Sequence, residues 1–220
     1  MIKYVLFDLD GTLTDPKEGI TKCVQYALRK FGIERDSDAL VEFIGPPLKE
    51  HFMEYANFSA EQGALAVAYY RERYAPIGIF ENRIYDGVLE MLSALKNRGY
   101  VLAVATSKPK IFADKICEKY GISEYITYLA GSELDGRNTD KAAVIKNAME
   151  VLGAETDNTI MVGDRIYDLN GAATIGISSI GVRYGYAAEG ELEKGNASAI
   201  VSSPMEIITA LEKINGKAFF

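Results

Sequence analysis

Histidine, cysteine and tryptophan are scarce in this sequence. Its 220 residues include one histidine, two cysteines and no tryptophan. Catalytic triads and multi-histidine metal sites need an imidazole beside other catalytic groups, and His51 follows Lys49 and Glu50 in a helix-like stretch without such a partner. We therefore expect His51 to be a surface helix residue, and any chemistry to depend on carboxylates, a lysine and a metal.

Disulfides, membrane spans and an excess of basic residues are lacking as well. Cys23 and Cys117 lie far apart in helix-like segments, which predicts two buried or half-buried free thiols in a reducing cytoplasm. The sequence shows no basic-then-apolar leader and no apolar run of about 18 residues, so neither export nor a membrane partner is predicted. The net charge of −7 disfavours nucleic acid as a partner. We expect a small-molecule ligand and, by default, a monomer.

The most informative stretch of the sequence begins in its first apolar run. Residues 2–7 are mainly β-branched, aromatic or aliphatic, which predicts a buried strand. Asp8 follows this strand directly, and Asp10 comes two positions later. Gly11 then allows a sharp turn that a residue with a Cβ would adopt only with strain. Two acids are therefore expected to share one turn at the end of a strand.

From Tyr85 onward the sequence alternates between helix and strand patterns. Apolar strands are predicted at 100–105, 125–130, 159–163, 177–182 and 199–201. Helices are predicted at 88–98, at 109–120, from a cap at Thr139 or Asp140 to 152, after Asp164 through 175, and at 204–214. This βαβα order predicts an α/β fold, a parallel Rossmann-like sheet with helices on both faces.

Residues 15–81 separate the first strand from this alternation. Their patterns predict helices at 18–31, 37–44, 48–55 and 59–76, with no convincing strand. A connection between parallel strands needs only about a dozen residues. We therefore predict an α/β core domain from 1–14 and 82–220, with an all-helical cap domain inserted at 15–81.

Polar side chains follow three of the predicted strands. Asp8, the pair Thr106-Ser107 and Asp164 each come directly after an apolar run. Since the carboxyl ends of parallel strands share one edge, where ligands bind, these groups should meet there. Lys141 falls in the first turn of its helix, where its charge opposes the helix dipole. A lysine in such an unfavourable position hints at a function.

This set of residues suits phosphoryl transfer to a carboxylate. Asp8 is ionised at neutral pH and needs no general base to attack phosphorus. A Mg²⁺ ion held by Asp8, the backbone carbonyl of Asp10 and Asp164 would offset the repulsion between carboxylates and phosphate. Asp10 would protonate the leaving alkoxide and later take a proton from the hydrolytic water.

Further groups are predicted to hold the phosphoryl oxygens or to support the site. Thr12 and Asp168 would hold the groups that contact the substrate and the metal, and Asp168 could orient Lys141 or a metal-bound water. The phosphate-binding groups would be side-chain donors together with backbone N–H groups of the first turn. They are Leu9, Gly11, Thr106, Ser107 and Lys141.

Four stretches of the sequence resemble the motifs of the haloacid dehalogenase superfamily of phosphatases, in order and over nearly the whole chain. They are Asp8–Thr12, Thr106-Ser107, Lys141 and Gly163–Asp168. The resemblance implies Asp8 as nucleophile, Asp10 as acid/base and Mg²⁺ as cofactor. The helical insertion is similar to the cap of the branch that contains phosphoglycolate phosphatase, β-phosphoglucomutase and several nucleotidases. Dehalogenases proper lack the second aspartate, so Asp10 favours phosphate chemistry. Residues 135–140 depart from the Lys-Pro segment that many relatives carry.

Several functions stay open at this level. Phosphoglycolate, a nucleoside monophosphate or a sugar phosphate could be the substrate, read by the cap through Pro46, Lys22 and Lys49. A mutase, which returns the phosphoryl group to a sugar, fits the same residues. Receiver domains of signalling proteins also use an aspartate, Mg²⁺, Thr or Ser, and Lys. They have no large helical insertion, however, and their acceptor aspartate ends a later strand than their acidic pair.

Overall fold

The computed structural model describes residues 1–216, and the chain divides into two compact units. One unit combines Met1–Thr14 with the chain from Ile84 onward, and the other is Asp15–Arg83. The strands are β1 (Tyr4–Phe7), β2 (Thr14–Asp15), β3 (Arg83–Ile84), β4 (Val101–Pro109), β5 (Tyr128–Ser132), β6 (Thr159–Gly163), β7 (Ser178–Val182) and β8 (Ala199–Val201). The helices are α1 (Lys17–Arg29), α2 (Leu48–Ala56), α3 (Ala60–Tyr74), α4 (Val88–Asn97), α5 (Lys110–Lys119), α6 (Lys141–Leu152), α7 (Ile166–Ile175) and α8 (Pro204–Ile214).

Six strands of the first unit form one parallel sheet in the order β5-β4-β1-β6-β7-β8. The predicted α/β fold with a parallel sheet is therefore confirmed. Strands β1 and β6 lie at its centre and are buried along their whole length, which explains why both read as unbroken apolar runs. Leu6 pairs in register with Ala103 on one side and Met161 on the other, and all three belong to the core that includes Val144 of α6.

The sheet departs from the sequence prediction mainly at β4. The apolar pattern predicts an end before Thr106-Ser107, but the strand continues to Pro109, and α5 begins one residue later. Its register against β5 shifts between Ala105 and Pro109. Such an irregularity arises from pairing with a neighbouring strand, so the local sequence pattern contains no signal for it.

The second unit consists of α1, α2, α3 and two short 3-10 helices, Ser37–Phe43 and Gly78–Phe80. Helix α3 begins with a capping box in which Ser59 and Gln62 each accept a hydrogen bond from the other's backbone N–H. His51 lies on α2 as expected but not on the surface, because its ring packs edge-on against Phe43 and its side chain is only 14% exposed.

Two further sequence predictions concern burial and membranes. Cys23 and Cys117 are both buried and free, as predicted. Within residues 1–216, none of the helices combines the length and the apolar character needed to cross a membrane.

Candidate active site

The carboxyl edge of the sheet brings the first two predicted motifs together with the last. Asp8 follows β1, and its N–H donates to the carbonyl of Val162 in β6 at 2.9 Å. Asp164 follows β6, and Thr106 is a buried residue of β4 on the other side of β1. The turn after Asp8 closes tightly, with the Gly11 N–H donating to the Thr14 carbonyl at 2.7 Å and Gly11 at φ +85°.

Lys141 enters this edge from the start of α6. Its Nζ lies 2.9 Å from Asp8 Oδ1 and 2.8 Å from Asp168 Oδ1, and its side chain is 7% exposed. Burial lowers the pKa of Lys141, but the negative charges of Asp168 and Asp8 outweigh burial and raise it above its usual value. The side chain of Asp140 caps the helix by accepting from the Ala143 N–H at 3.0 Å, which fixes the position from which Lys141 extends.

Three carboxylates gather around this lysine. Oxygens of Asp8, Asp164 and Asp168 all lie within 4.8 Å of one another, and the three residues are buried. Burial, together with the charges of Asp168 and Asp8, raises the pKa of Asp164, and burial raises the pKa of Asp168 to about 6 in spite of Lys141. The three acids therefore repel one another when ionised, and one ammonium group leaves an excess of negative charge.

Three further residues hold Asp164 and Asp168 in place. Thr12 Oγ1 donates to Asp164 Oδ1 at 3.3 Å, and the Tyr186 N–H donates to Asp164 Oδ2 at 2.8 Å. The Arg165 N–H donates to Asp168 Oδ2 at 3.0 Å. The carboxylate oxygens of this cluster are hard ligands, so these residues fit a hard cation such as Mg²⁺.

Sequence reasoning missed the loop that contains Tyr184, Gly185 and Tyr186. The Tyr184 hydroxyl donates to the Thr12 carbonyl at 3.0 Å. Gly185 packs so closely that a Cβ there would lie 2.3 Å from Asp164 Cβ and 2.4 Å from the Gly11 carbonyl oxygen. This loop follows β7 and carries no local motif, so only the folded chain reveals its contact with the site.

Sequence reasoning also missed the partner of Asp10. Lys108 Nζ forms an ion pair with Asp10 Oδ2, and both side chains are largely buried, at 6% and 15% exposed. Burial raises the pKa of Asp10, whereas Lys108 opposes that rise. The carboxylate of Asp10 is not part of the three-acid cluster. The position of Lys108, directly after Thr106-Ser107, was the available signal.

The remaining predicted core residues lie at the same sheet edge. Thr106 Oγ1 accepts from the Lys108 N–H at 3.3 Å, and the Ser107 carbonyl accepts from Ser132 Oγ at 2.8 Å. Leu9 is fully buried in the turn after Asp8, and its carbonyl accepts from the Leu13 N–H at 2.9 Å.

The predicted cap residues belong to the helical unit. Lys22 forms ion pairs with Glu18 at 2.5 Å and Glu81 at 3.4 Å, and it lines a cavity of about 420 Å³ within that unit. Pro46 and Lys49 are not among the residues that line this cavity. The structure thus separates Lys22 from the other two candidates.

Known proteins share both the sequence and the fold. Residues 5–182 match the model of the haloacid dehalogenase-like hydrolases. A 5'-nucleotidase of Pseudomonas aeruginosa is 47% identical and covers 86% of each chain. The tyrosine-protein kinase PtkA of Mycobacterium tuberculosis is 34% identical over 90% of this chain and 68% of its own. The crystal structure of a predicted phosphatase from Clostridium acetobutylicum superposes with a TM-score of 0.93 at 47% identity, covering 97% of this chain and 99% of its own.

The family match extends over the strands and loops that supply the acids and Lys141, and the structural match extends over both units. The chain therefore belongs to the haloacid dehalogenase-like hydrolases and is a phosphatase of that family.

Proposed function

We propose that this phosphatase hydrolyses small phosphomonoesters through an aspartyl phosphate formed on Asp8, with Mg²⁺ as its cofactor. One observation carries the proposal. Asp8 directly follows the central strand β1 and lies in contact with Lys141 and beside Asp164 and Asp168, so a single carboxylate lies next to both a fixed ammonium group and a candidate cation site. Electrostatic stabilisation of this kind dominates phosphoryl transfer.

The reaction would proceed in two steps. A carboxylate oxygen of Asp8 attacks phosphorus, the bond from phosphorus to the leaving oxygen breaks, and Asp10 gives that oxygen a proton. Water then attacks phosphorus, Asp10 takes a proton from it, and the bond between phosphorus and the Asp8 oxygen breaks. This step frees inorganic phosphate and regenerates the Asp8 carboxylate. Lys141 would offset the charge on the phosphoryl oxygens, with Thr106, Ser107 and the backbone N–H group of Leu9 as further donors. The Gly11 N–H, which the sequence also predicts as a donor, is instead engaged by the Thr14 carbonyl.

The acidic cluster would hold the cofactor. Asp8 and Asp164 would supply carboxylate oxygens, and the backbone carbonyl of Asp10 would be a further ligand. Asp168, which contacts Lys141 and accepts from the Arg165 N–H, would orient Lys141 or a metal-bound water. Three ionised carboxylates against one ammonium group leave two net negative charges, which a divalent cation balances. When bound, Mg²⁺ supplies the positive charge that lets an anionic substrate approach these acids.

Nucleoside 5'-monophosphates are the first substrate class to test. The relative named 5'-nucleotidase supports this choice, because it shares 47% of its aligned residues with this chain. Phosphoglycolate and sugar phosphates are the other candidates that the sequence predicts. The helical unit Asp15–Arg83 would act as the cap that reads the leaving group, while cytoplasmic location and a monomeric state stay predictions of the sequence.

Replacing the nucleophile tests the proposed reaction. Asp8→Asn should abolish Mg²⁺-dependent phosphate release from 4-nitrophenyl phosphate, because the amide cannot attack phosphorus. Asp114→Asn is the matched control, since Asp114 is an exposed acid that pairs with Lys110, and it should keep wild-type activity. Activity that survives in Asp8→Asn contradicts the assignment of the nucleophile.

A panel of substrates then distinguishes a phosphatase, which releases inorganic phosphate, from a mutase, which returns the phosphoryl group to the sugar. AMP, phosphoglycolate and glucose 6-phosphate are compared by kcat/KM for phosphate release. We expect AMP to be the best of the three. Rearrangement of a sugar phosphate without release of phosphate would contradict the hydrolase proposal and favour a mutase.

A further inference from the structure

Lys108 is a buried lysine that belongs to none of the four sequence motifs. Its side chain is 6% exposed, and its Nζ pairs with Asp10 Oδ2. Lys141, in contrast, lies against Asp8 and Asp168. The two lysines therefore divide the acids of the site between them: one contacts the proposed nucleophile and the other contacts the proposed proton carrier.

The two oxygens of Asp10 have different surroundings. Oδ2 faces Lys108, whereas Oδ1 is buried and accepts no hydrogen bond from any group within residues 1–216. A buried polar atom without a partner is costly unless a ligand supplies one. With Oδ2 fixed by the ammonium group, Oδ1 is kept in one place, and no group within residues 1–216 competes for its proton.

The backbone around Lys108 is itself fixed. The Lys108 N–H donates to Thr106 Oγ1 at 3.3 Å, and Ser132 Oγ donates to the neighbouring Ser107 carbonyl at 2.8 Å. The register shift of β4 against β5 occurs in this segment, between Ala105 and Pro109, and such irregularities re-aim side chains. Lys108 is therefore a constrained anchor for Asp10 and not a freely moving surface lysine.

We propose that Lys108 is a positioning residue that holds Asp10 in the orientation required to protonate the leaving group. The inference rests on the proposed function, in which Asp10 gives a proton to the leaving oxygen as the bond between that oxygen and phosphorus breaks. An Asp10 carboxyl protonated on Oδ1 can still accept a hydrogen bond from Lys108 through Oδ2. Lys108 acts through Asp10 and takes no part in the transfer itself.

Leaving groups differ in their need for that proton. A nucleoside or sugar alkoxide is strongly basic and must be protonated as it departs, whereas 4-nitrophenolate is a stable anion and leaves without an acid. The value of kcat/KM reports the steps up to the transfer to Asp8, so it excludes the later attack of water. A residue that positions the acid should therefore affect kcat/KM for AMP far more than for 4-nitrophenyl phosphate.

The test compares Lys108→Met with wild type and with Lys110→Met. Lys110 lies two positions further along on the exposed start of α5, where it pairs with Asp114, so it controls for the loss of a nearby positive charge. In Lys108→Met, kcat/KM for AMP should fall about tenfold or more, and that for 4-nitrophenyl phosphate by less than about threefold. In Lys110→Met, the ratio of the two values should equal that of wild type.

Rescue and folding controls make the result decisive. Lys108→Arg keeps a positive charge opposite Asp10 and should restore part of the AMP activity, which a merely structural defect would not allow. If Lys108→Met fails to fold, the same ratio is measured in Lys108→Gln, which keeps a donor without the charge. An equal loss for both substrates, or no loss for either, overturns the proposal. Failure of the proposed function is distinguishable, because wild-type protein would then release no phosphate from either substrate.

Discussion

Gly185 lies where the loop after β7 packs closely against Asp164, and replacing it should weaken metal binding. A Cβ at this position would lie 2.3 Å from Asp164 Cβ, 2.4 Å from the Gly11 carbonyl oxygen and 2.5 Å from Asp164 Oδ2. One of these neighbours is a proposed metal ligand, and another belongs to the turn after the proposed nucleophile. Gly185→Ala must therefore displace Asp164, the turn or the loop.

The magnitude follows from the cost of an extra methyl group in a packed site. Overpacking of this kind costs about 1–3 kcal/mol. If that strain falls on the metal-bound state, affinity for Mg²⁺ decreases roughly 5- to 150-fold. If the loop moves instead, Asp164 loses the hydrogen bond from the Tyr186 N–H, and a hydrogen bond to a charged group contributes about 1.5–3 kcal/mol. Both routes give an effect of similar size.

Two measurements check this prediction. The Mg²⁺ concentration that half-activates 4-nitrophenyl phosphate hydrolysis should rise. The rise of the melting temperature with Mg²⁺, which measures binding independently of activity, should also require a higher Mg²⁺ concentration. Gly99→Ala is the control for strain away from the site. No atom lies within 4 Å of its ideal Cβ position, but its φ of +85° strains any residue that has a Cβ. Unchanged Mg²⁺ dependence in Gly185→Ala, or an equal change in Gly99→Ala, would refute the reasoning.

Two further predictions concern the cofactor and the helical unit. Because Asp8, Asp164 and Asp168 share one buried cluster, EDTA should abolish phosphate release. Mg²⁺ at 100 times its Kd should then stabilise the apoprotein by about 2.7 kcal/mol. A melting temperature that does not change with Mg²⁺ would count against the site. Lys22→Ala should change the ratio of kcat/KM for AMP and phosphoglycolate about tenfold, equivalent to about 1.4 kcal/mol, because Lys22 lines the cavity of the helical unit. Lys49→Ala should leave that ratio within about twofold of wild type, and equal ratios in both variants would remove Lys22 as a specificity residue.

Most of the fold could be predicted because its local signals agree with its tertiary packing. Strands β6 and β8 and helix α8 begin and end where the apolar patterns predict, since central strands and amphipathic helices owe their patterns to burial. The end of β4 could not be predicted in this way. There the chain follows its pairing with β5 beyond Ala105, and that pairing depends on a strand that begins only at Tyr128.

The candidate site likewise has features that the sequence predicts and features that depend on tertiary packing. The sequence by itself determined that acids lie at the ends of β1 and β6, because a carboxylate that follows a buried parallel strand must lie at the ligand-binding edge of the sheet. Asp8, Asp10 and Asp164 could therefore be selected from the strand pattern alone, and the order of the motifs identified the family.

Only the tertiary structure decided how the charges pair. Lys141 contacts both Asp8 and Asp168, while Lys108 contacts Asp10, and nothing in the spacing of these residues assigns each lysine to its acid. The contact of Gly185 with Asp164 is likewise invisible in the sequence. Pairing and close approach depend on distances of a few ångströms between segments far apart in the chain, and those distances are fixed only when the sheet and its loops pack together.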